Sequence, residues 1–169
     1  CICANLIIKV NAKTNNIPKN LSLGGKEYEL KYSNCTIFSK SCLNEYYKKD
    51  EYDSEWTELL TVVYAPKVKD FNIFAKMLLT SQKFAGWLDR TDEYYIIGFH
   101  IPYQTKDGIW VEQNVAKVTK ANTKGVVSIQ YARRFPFQKD KLDEMEKSMK
   151  NTTETYMKVF KDFSTPDVY

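Results

Sequence analysis

Side chains that titrate near neutral pH are few in this chain of 169 residues. It contains one histidine, His100, within the apolar segment YYIIGFHIPY. An imidazole titrates near neutral pH and can act as a general base when a carboxylate orients it. No HExxH, GxSxG, GxGxxG or P-loop pattern accompanies it. The sequence therefore predicts a protein that is not an enzyme, and the alternative is a small extracytoplasmic enzyme that uses His100 with a carboxylate.

Glu112 is a carboxylate that two neighbouring strands could bring close to a cation. We expect it to face Arg133 across the two strands as an ordinary cross-strand ion pair. The sharper alternative is a buried pair of these two residues that lines a pocket.

The four cysteines all lie in the first quarter of the chain, at Cys1, Cys3, Cys35 and Cys42. Their spacing is not that of a zinc site, so we expect no metal. Since the nucleotide-binding motifs are absent as well, we expect no cofactor. Cys35 and Cys42 enclose the segment TIFSKS and could close a loop as a disulfide, which would indicate an oxidising compartment. Two alternatives are a pair of bridges that joins the N-terminus to this region and a set of buried free thiols.

The sequence as given begins at Cys1 and lacks an initiator methionine. Either it has been trimmed or a signal peptide has been removed. A cleavage that leaves cysteine first resembles bacterial lipoprotein processing, so Cys1 is a candidate lipid anchor. Both this interpretation and the disulfides favour an extracytoplasmic location: periplasm or cell envelope if the protein is anchored, secreted otherwise.

Aromatic side chains give the main indication of binding. Tyr46, Tyr47, Tyr52 and Trp56 lie close together in one polar stretch, and Trp110 stands at the start of another element. Exposed Tyr and Trp are common at interfaces because they add contact area at little entropic cost. We expect a binding or assembly domain whose partner is a protein, or a small apolar ligand held between sheet and helix.

The charges exclude some other partners. Twenty-five basic residues are mixed with 21 acidic ones, and the net charge is +4. A nucleic-acid binder would show a concentrated basic stripe, so none is expected. No apolar run approaches the ~20 residues of a membrane-spanning helix, which leaves a lipid anchor as the one membrane contact. We expect a monomer.

Hydrophobic patterns predict the elements. Alternation predicts strands at Leu6–Val10 and at 26–32, where Tyr28, Leu30 and Tyr32 share a face. The charged segment 43–55 favours a short helix or an ordered loop. Segments that are apolar on both faces follow at 56–66 and 93–103, and two more strands at 108–118 and 125–135 form a hairpin.

Two helices complete the pattern. Asp70 is placed to cap the first, which begins at Phe71. The second is a long amphipathic helix near the C-terminus. Its apolar stripe consists of Leu142, Met145, Met149, Tyr156, Val159, Phe160 and Phe163.

This order of elements predicts an α+β fold with a mostly antiparallel sheet of about six strands flanked by helices, the long C-terminal helix packed on the sheet. We expect a single domain over residues 1–169, with an N-terminal strand and loop over 1–25 and the main body over 26–169.

The layout from the Trp56-led strand through the Asp70 helix, the strands up to QYARR and the closing helix ending VFKDF resembles Mog1/PsbP-like domains. The resemblance covers about residues 50–163. That family includes secreted lipoproteins and assembly or binding factors, so the resemblance implies a binding role. It identifies no functional residue.

Overall fold

The chain is built around one antiparallel sheet. A computed structural model describes residues 17–36, 39–51 and 55–164, and in them eight strands pair in the order β1-β2-β3-β4-β8-β7-β6-β5. The strands are β1 (Asn20–Leu23), β2 (Lys26–Cys35), β3 (Cys42–Lys48), β4 (Glu58–Ala65), β5 (Phe84–Arg90), β6 (Tyr94–Thr105), β7 (Gly108–Lys120) and β8 (Val126–Pro136). The helices are α1 (Phe71–Ser81) and α2 (Leu142–Asp162), with a short 3-10 turn, Lys139–Lys141, before α2. The α+β class and the antiparallel sheet are confirmed.

Helix α2 covers one face of the sheet, which we call the α2 face. Its C-terminal half supplies Tyr156 and Phe160, which are both buried in one hydrophobic cluster with residues of β2, β4, β6, β7 and β8. Tyr131 of β8 stacks on Tyr156 with ring centroids 3.4 Å apart. The N-terminal half packs less closely, and Leu142 is 41% exposed. The helix therefore lies on the sheet as expected, with a looser first half.

Helix α1 covers part of the opposite face, the α1 face. Asp70 caps the helix, because its side chain accepts a hydrogen bond from the Asn72 backbone N–H at 2.8 Å. Phe71 and Ala75 are buried against β6 and β7. A helix thus packs on each face of the sheet, which is why β4, β6, β7 and β8 carry apolar residues on both faces.

The expected number of about six strands is wrong, because the described residues form eight, and three of these were not predicted from the sequence. Segment 43–55 was expected to be a helix or loop, but β3 lies there, because Tyr46 and Tyr47 are buried on opposite faces between β2 and β4. β1 is four residues long within a polar stretch, and β5 includes Gly86, so both gave weak patterns. The strand predicted at Leu6–Val10 lies outside the described residues.

A bulge in β2 changes the face of one predicted residue. The register shifts between Leu30, which pairs with Tyr46, and Tyr32, which pairs with Glu45. Since a shift of one residue moves a side chain to the other face, Tyr32 leaves the face of Leu30 and is 47% exposed.

The predicted disulfide between Cys35 and Cys42 is present. The two residues pair directly across β2 and β3 with Cα atoms 4.0 Å apart, and the bond ties the end of this hairpin. Cys1 and Cys3 lie outside the described residues, so the lipid anchor and the second bridge stay predictions.

Candidate functional site

Four strands bring the candidate site residues to one end of the sheet. Because the strands are antiparallel, the start of β4 and of β7 lies beside the end of β6 and of β8. In this register Glu58 lies across from Arg133 on the neighbouring strand, and Tyr103 lies across from Trp110. Residues far apart in sequence therefore meet at this end.

Trp56 and Trp110 come together around one arginine. The guanidinium carbon of Arg134 lies 4.6 Å from the Trp56 ring centroid and 5.9 Å from that of Trp110. Its Nε also donates a hydrogen bond to the Trp56 carbonyl. A guanidinium at such distances is attracted to the negative faces of both rings, so Arg134 holds the two indoles in place.

These residues form a groove of about 440 Å³, which we call the tryptophan groove. Its walls include Trp56, Tyr103, Lys106, Asp107, Trp110 and Arg134. Three aromatic rings with a few charged groups at the edge are typical of a site that contacts a partner through apolar area and fixes its orientation through polar groups. Trp56 and Trp110, which the sequence predicts as binding residues, thus lie in the walls of the same groove.

Glu112 does not line this groove, but it lies on β7 directly across from Arg134 of β8. Burial raises its pKa, against a hydrogen bond from Asn114 and the charge of Arg134, which both act in the other direction. The expected pairing of Glu112 with Arg133 is wrong. Arg133 lies across from Gln113, and neighbouring residues of a strand point to opposite faces.

The other predicted binding residues are not part of the groove. Tyr46 is fully buried in the core of the α2 face and is therefore not a surface contact. Tyr47 is 5% exposed and packs with Leu59 and Ala132 on the α1 face, next to Trp56. Tyr52 lies outside the described residues.

His100 stands on β6, across from Phe84 on one side and Gln113 on the other. It is half-buried, and burial lowers its pKa, with a further lowering by the positive charge of Arg133. The group that acts on this imidazole is therefore a cation, whereas the catalytic alternative needs a carboxylate there. His100 lines neither the tryptophan groove nor the cleft described next.

A second concave region lies on the other face, between α2 and the sheet. It consists of two adjoining grooves of about 450 Å³ and 300 Å³, which share Glu58 and Arg133 and which we call the α2 cleft. Its charged walls are Lys26, Glu58, Arg133, Arg134, Lys141 and Glu144. Arg134 and Thr57 also line the tryptophan groove, so the two sites adjoin.

Glu58 is already bound within the α2 cleft. Its two oxygens accept from the Lys26 ammonium at 2.6 and 2.8 Å, and one also accepts from the Tyr28 hydroxyl at 3.0 Å. Burial raises the pKa of Tyr28, and the neighbouring Tyr156 and Glu58 raise it further. The negative charge of Glu58 is thus largely compensated from its own side of the cleft.

Sequence reasoning missed Arg134 and Tyr103 as site residues, and it considered Arg133 only as the partner of Glu112. The available signal for the two arginines was the dipeptide RR, a small basic cluster. Only the register shows that its two members serve opposite faces.

Two properties of residues 17–36, 39–51 and 55–164 bear on metal binding and membrane insertion. These ranges contain no group of three or more His, Cys, Asp or Glu side chains that could hold a metal ion. Likewise, no helix in these ranges combines the length and apolar character needed to cross a membrane.

The fold and the grooves define the class of this protein: an α+β domain with one antiparallel sheet, a helix on each face and an aromatic groove at one end. A protein-family model matches residues 15–165, and the chain belongs to that domain family. The match does not link it to Mog1/PsbP-like domains, so that resemblance stays a prediction. No curated protein and no solved structure is significantly similar to the chain.

Proposed function

We propose that this protein is a non-enzymatic, extracytoplasmic binding domain that holds a protein partner in the tryptophan groove. The observation that carries the proposal is the arrangement of Trp56 and Trp110 around Arg134. Trp, Tyr and Arg are the residue types that contribute most binding energy at protein interfaces. All three are present in the walls of this one groove.

The shape of the molecule favours a protein partner over a small ligand between sheet and helix. Tyr28, Tyr131, Tyr156 and Phe160 fill the centre of that layer and are all buried. The tryptophan groove is instead an open surface feature at the end of the sheet, bordered by the exposed turn residues Lys106 and Asp107. An open groove with an aromatic floor and a charged rim resembles the centre of a protein interface.

The disulfide supports the extracytoplasmic part of the proposal. A bond between Cys35 and Cys42 persists in oxidising compartments and is rare in the cytosol, where thiols are kept reduced. The non-enzymatic part rests on the place of His100, which is outside the groove and next to a cation.

Photo-crosslinking in the native cells tests the proposal. A benzophenone amino acid replaces Lys106 at the rim of the groove, and in a matched control it replaces Lys124, an exposed residue in the turn between β7 and β8 at the opposite end of the sheet. We expect an adduct of defined mass from position 106 and none of that mass from 124, and we expect Trp56→Ala to remove it.

Two results would contradict the proposal. Identical adducts from both positions, or none from position 106, would show that the groove does not contact a partner. An adduct with a cytosolic protein would refute the compartment.

A further inference from the structure

We infer that the α2 cleft is a binding site for an oxyanion group, a carboxylate or a phosphate, which is held by the guanidinium of Arg133. This site is separate from the tryptophan groove, because Arg133 points to the α2 face and lines both grooves of the cleft. The inference does not depend on the proposed function.

Arg133 is a cation without a carboxylate partner. It is half-buried, yet among the described residues no acidic oxygen lies within 4.0 Å of its nitrogens. A buried charge is costly unless a counter-charge or hydrogen bonds compensate it. Burial accordingly lowers the pKa of Arg133, while Tyr131, Glu58 and Tyr156 act against that shift.

Neutral groups fix the orientation of this guanidinium. Its Nε donates to the Gln113 side-chain oxygen at 2.7 Å, and Nη2 donates to Ser148 Oγ at 3.1 Å. Gln113 is itself fully buried and is anchored to α2, since its Nε2 donates to the Met149 carbonyl at 2.6 Å and to Thr153 Oγ1 at 2.9 Å. The fork of Arg133 is thus held in place before any ligand arrives.

The remaining donors of Arg133 suit an oxyanion. A guanidinium has five N–H donors, and these two hydrogen bonds leave both N–H groups of Nη1 and one of Nη2. Two neighbouring N–H groups of a guanidinium match the two oxygens of a carboxylate or phosphate.

The charges around Arg133 favour an anion. Lys141 lines the same groove as Arg133, and Lys26 lines the adjoining one, whereas the side chain of Arg134 points to the opposite face. Of the two acidic residues there, Glu58 is bound by Lys26 and Tyr28, and Glu144 is exposed to solvent on α2. The cleft therefore offers an anion more positive than negative charge.

A titration followed by NMR tests the inference. Amide and Arg Nε–H signals of the isotope-labelled protein are recorded with increasing sodium phosphate, and separately with sodium acetate, against sodium chloride of equal ionic strength. We expect saturable shifts at Arg133 Nε–H and at the amides of Glu58 and residues 144–148. Saturation by phosphate alone identifies a phosphate site, saturation by acetate alone identifies a carboxylate site, and saturation by both identifies a site that accepts either oxyanion.

Three variants decide which residue binds. Arg133→Lys keeps the charge but loses the fork, so we expect binding about tenfold weaker. Lys141→Gln removes an exposed charge of the cleft and should weaken binding about threefold without affecting the fold. Lys139→Gln, an exposed neighbour outside the cleft, is the matched control and should bind like the original protein.

Shifts that follow ionic strength alone would overturn the inference. Equal affinities for Lys141→Gln and Lys139→Gln would also overturn it, and this comparison holds even if Arg133→Lys does not fold.

Discussion

At the scale of single residues, the dipeptide Arg133–Arg134 has two separate roles. Arg134 lies between Trp56 and Trp110 on the α1 face, whereas Arg133 is fixed by Gln113 on the α2 face. Two adjacent cations repel each other least when they point to opposite sides of a strand, and β8 places them so. One short sequence thus supplies a cation to each of two adjoining sites.

Buried tyrosines predict how the protein responds to alkali. Tyr28 and Tyr131 are 0% and 2% exposed, and burial raises the pKa of both well above the ordinary value of 10.0. Burial also raises the pKa of Tyr46 to about 12. These rings are neutral in the folded state, so their contribution to stability is complete below pH 10 and is lost as the pH rises further.

We therefore expect two phases of tyrosine ionisation as the pH is raised. One phase precedes unfolding, and the second accompanies it, because Tyr28 and Tyr131 ionise only as the protein unfolds. Ultraviolet absorbance of tyrosinate, recorded together with circular dichroism, measures both events. Tyr131→Phe should raise the pH of alkaline unfolding, and Tyr32→Phe, a change at a half-exposed ring, should not. Reversible ionisation of all tyrosines in one phase with the fold intact would contradict this expectation.

At the scale of elements, polar side chains of β7 attach α2 to the sheet. Gln113 binds the Met149 carbonyl in the first half of the helix. Lys117, only 7% exposed, donates to the Phe160 and Phe163 carbonyls at 2.7 and 2.8 Å. The last carbonyls of a helix have no partner within it, so Lys117 satisfies one of them at Phe160 and also binds the carbonyl of the capping residue Phe163. It thereby places a positive charge at the negative end of the helix dipole.

Replacement of Lys117 by Met tests this attachment. The methionine fills a similar volume but leaves both carbonyls without a donor, so we expect the free energy of unfolding to fall by about 2 kcal/mol. Urea unfolding measures the loss, and hydrogen exchange should quicken at the end of α2. Lys120→Met, three residues further along β7 and exposed, is the control and should change stability little. Equal stabilities for the two variants would contradict the role of Lys117.

The elements also show why sequence patterns sufficed for some parts of the fold and failed for others. The apolar stripe of α2 and the cap of α1 at Asp70 are local signals, and both helices were predicted from them. β3 was not predicted, because Tyr46 and Tyr47 are adjacent in a charged stretch and do not alternate with polar residues as strand residues usually do. The segment is a strand because it pairs with β2 along one edge and with β4 along the other. Tertiary contacts, rather than local preference, make this segment a strand.

At the scale of the whole molecule, the antiparallel sheet creates the tryptophan groove. Trp56 precedes β4 and Trp110 lies near the start of β7, and the two meet because β8 lies between β4 and β7 in the sheet. The sequence indicated each tryptophan as a binding residue, but not that Arg134 would join them, since that depends on strand order. The α2 cleft depends on the same order and could not be read from any single segment.

The central claim is that the tryptophan groove binds a protein partner, and the affinity of the crosslinked partner for purified variants tests it most directly. We predict that Trp56→Ala and Trp110→Ala each weaken binding by about 30-fold, as expected for residues at the centre of an interface. Ile109→Ala removes an exposed apolar side chain beside Trp110 that does not line the groove, and it should bind like the original protein. If the two tryptophan variants bind as tightly as Ile109→Ala, the groove is not the binding site and the account is wrong.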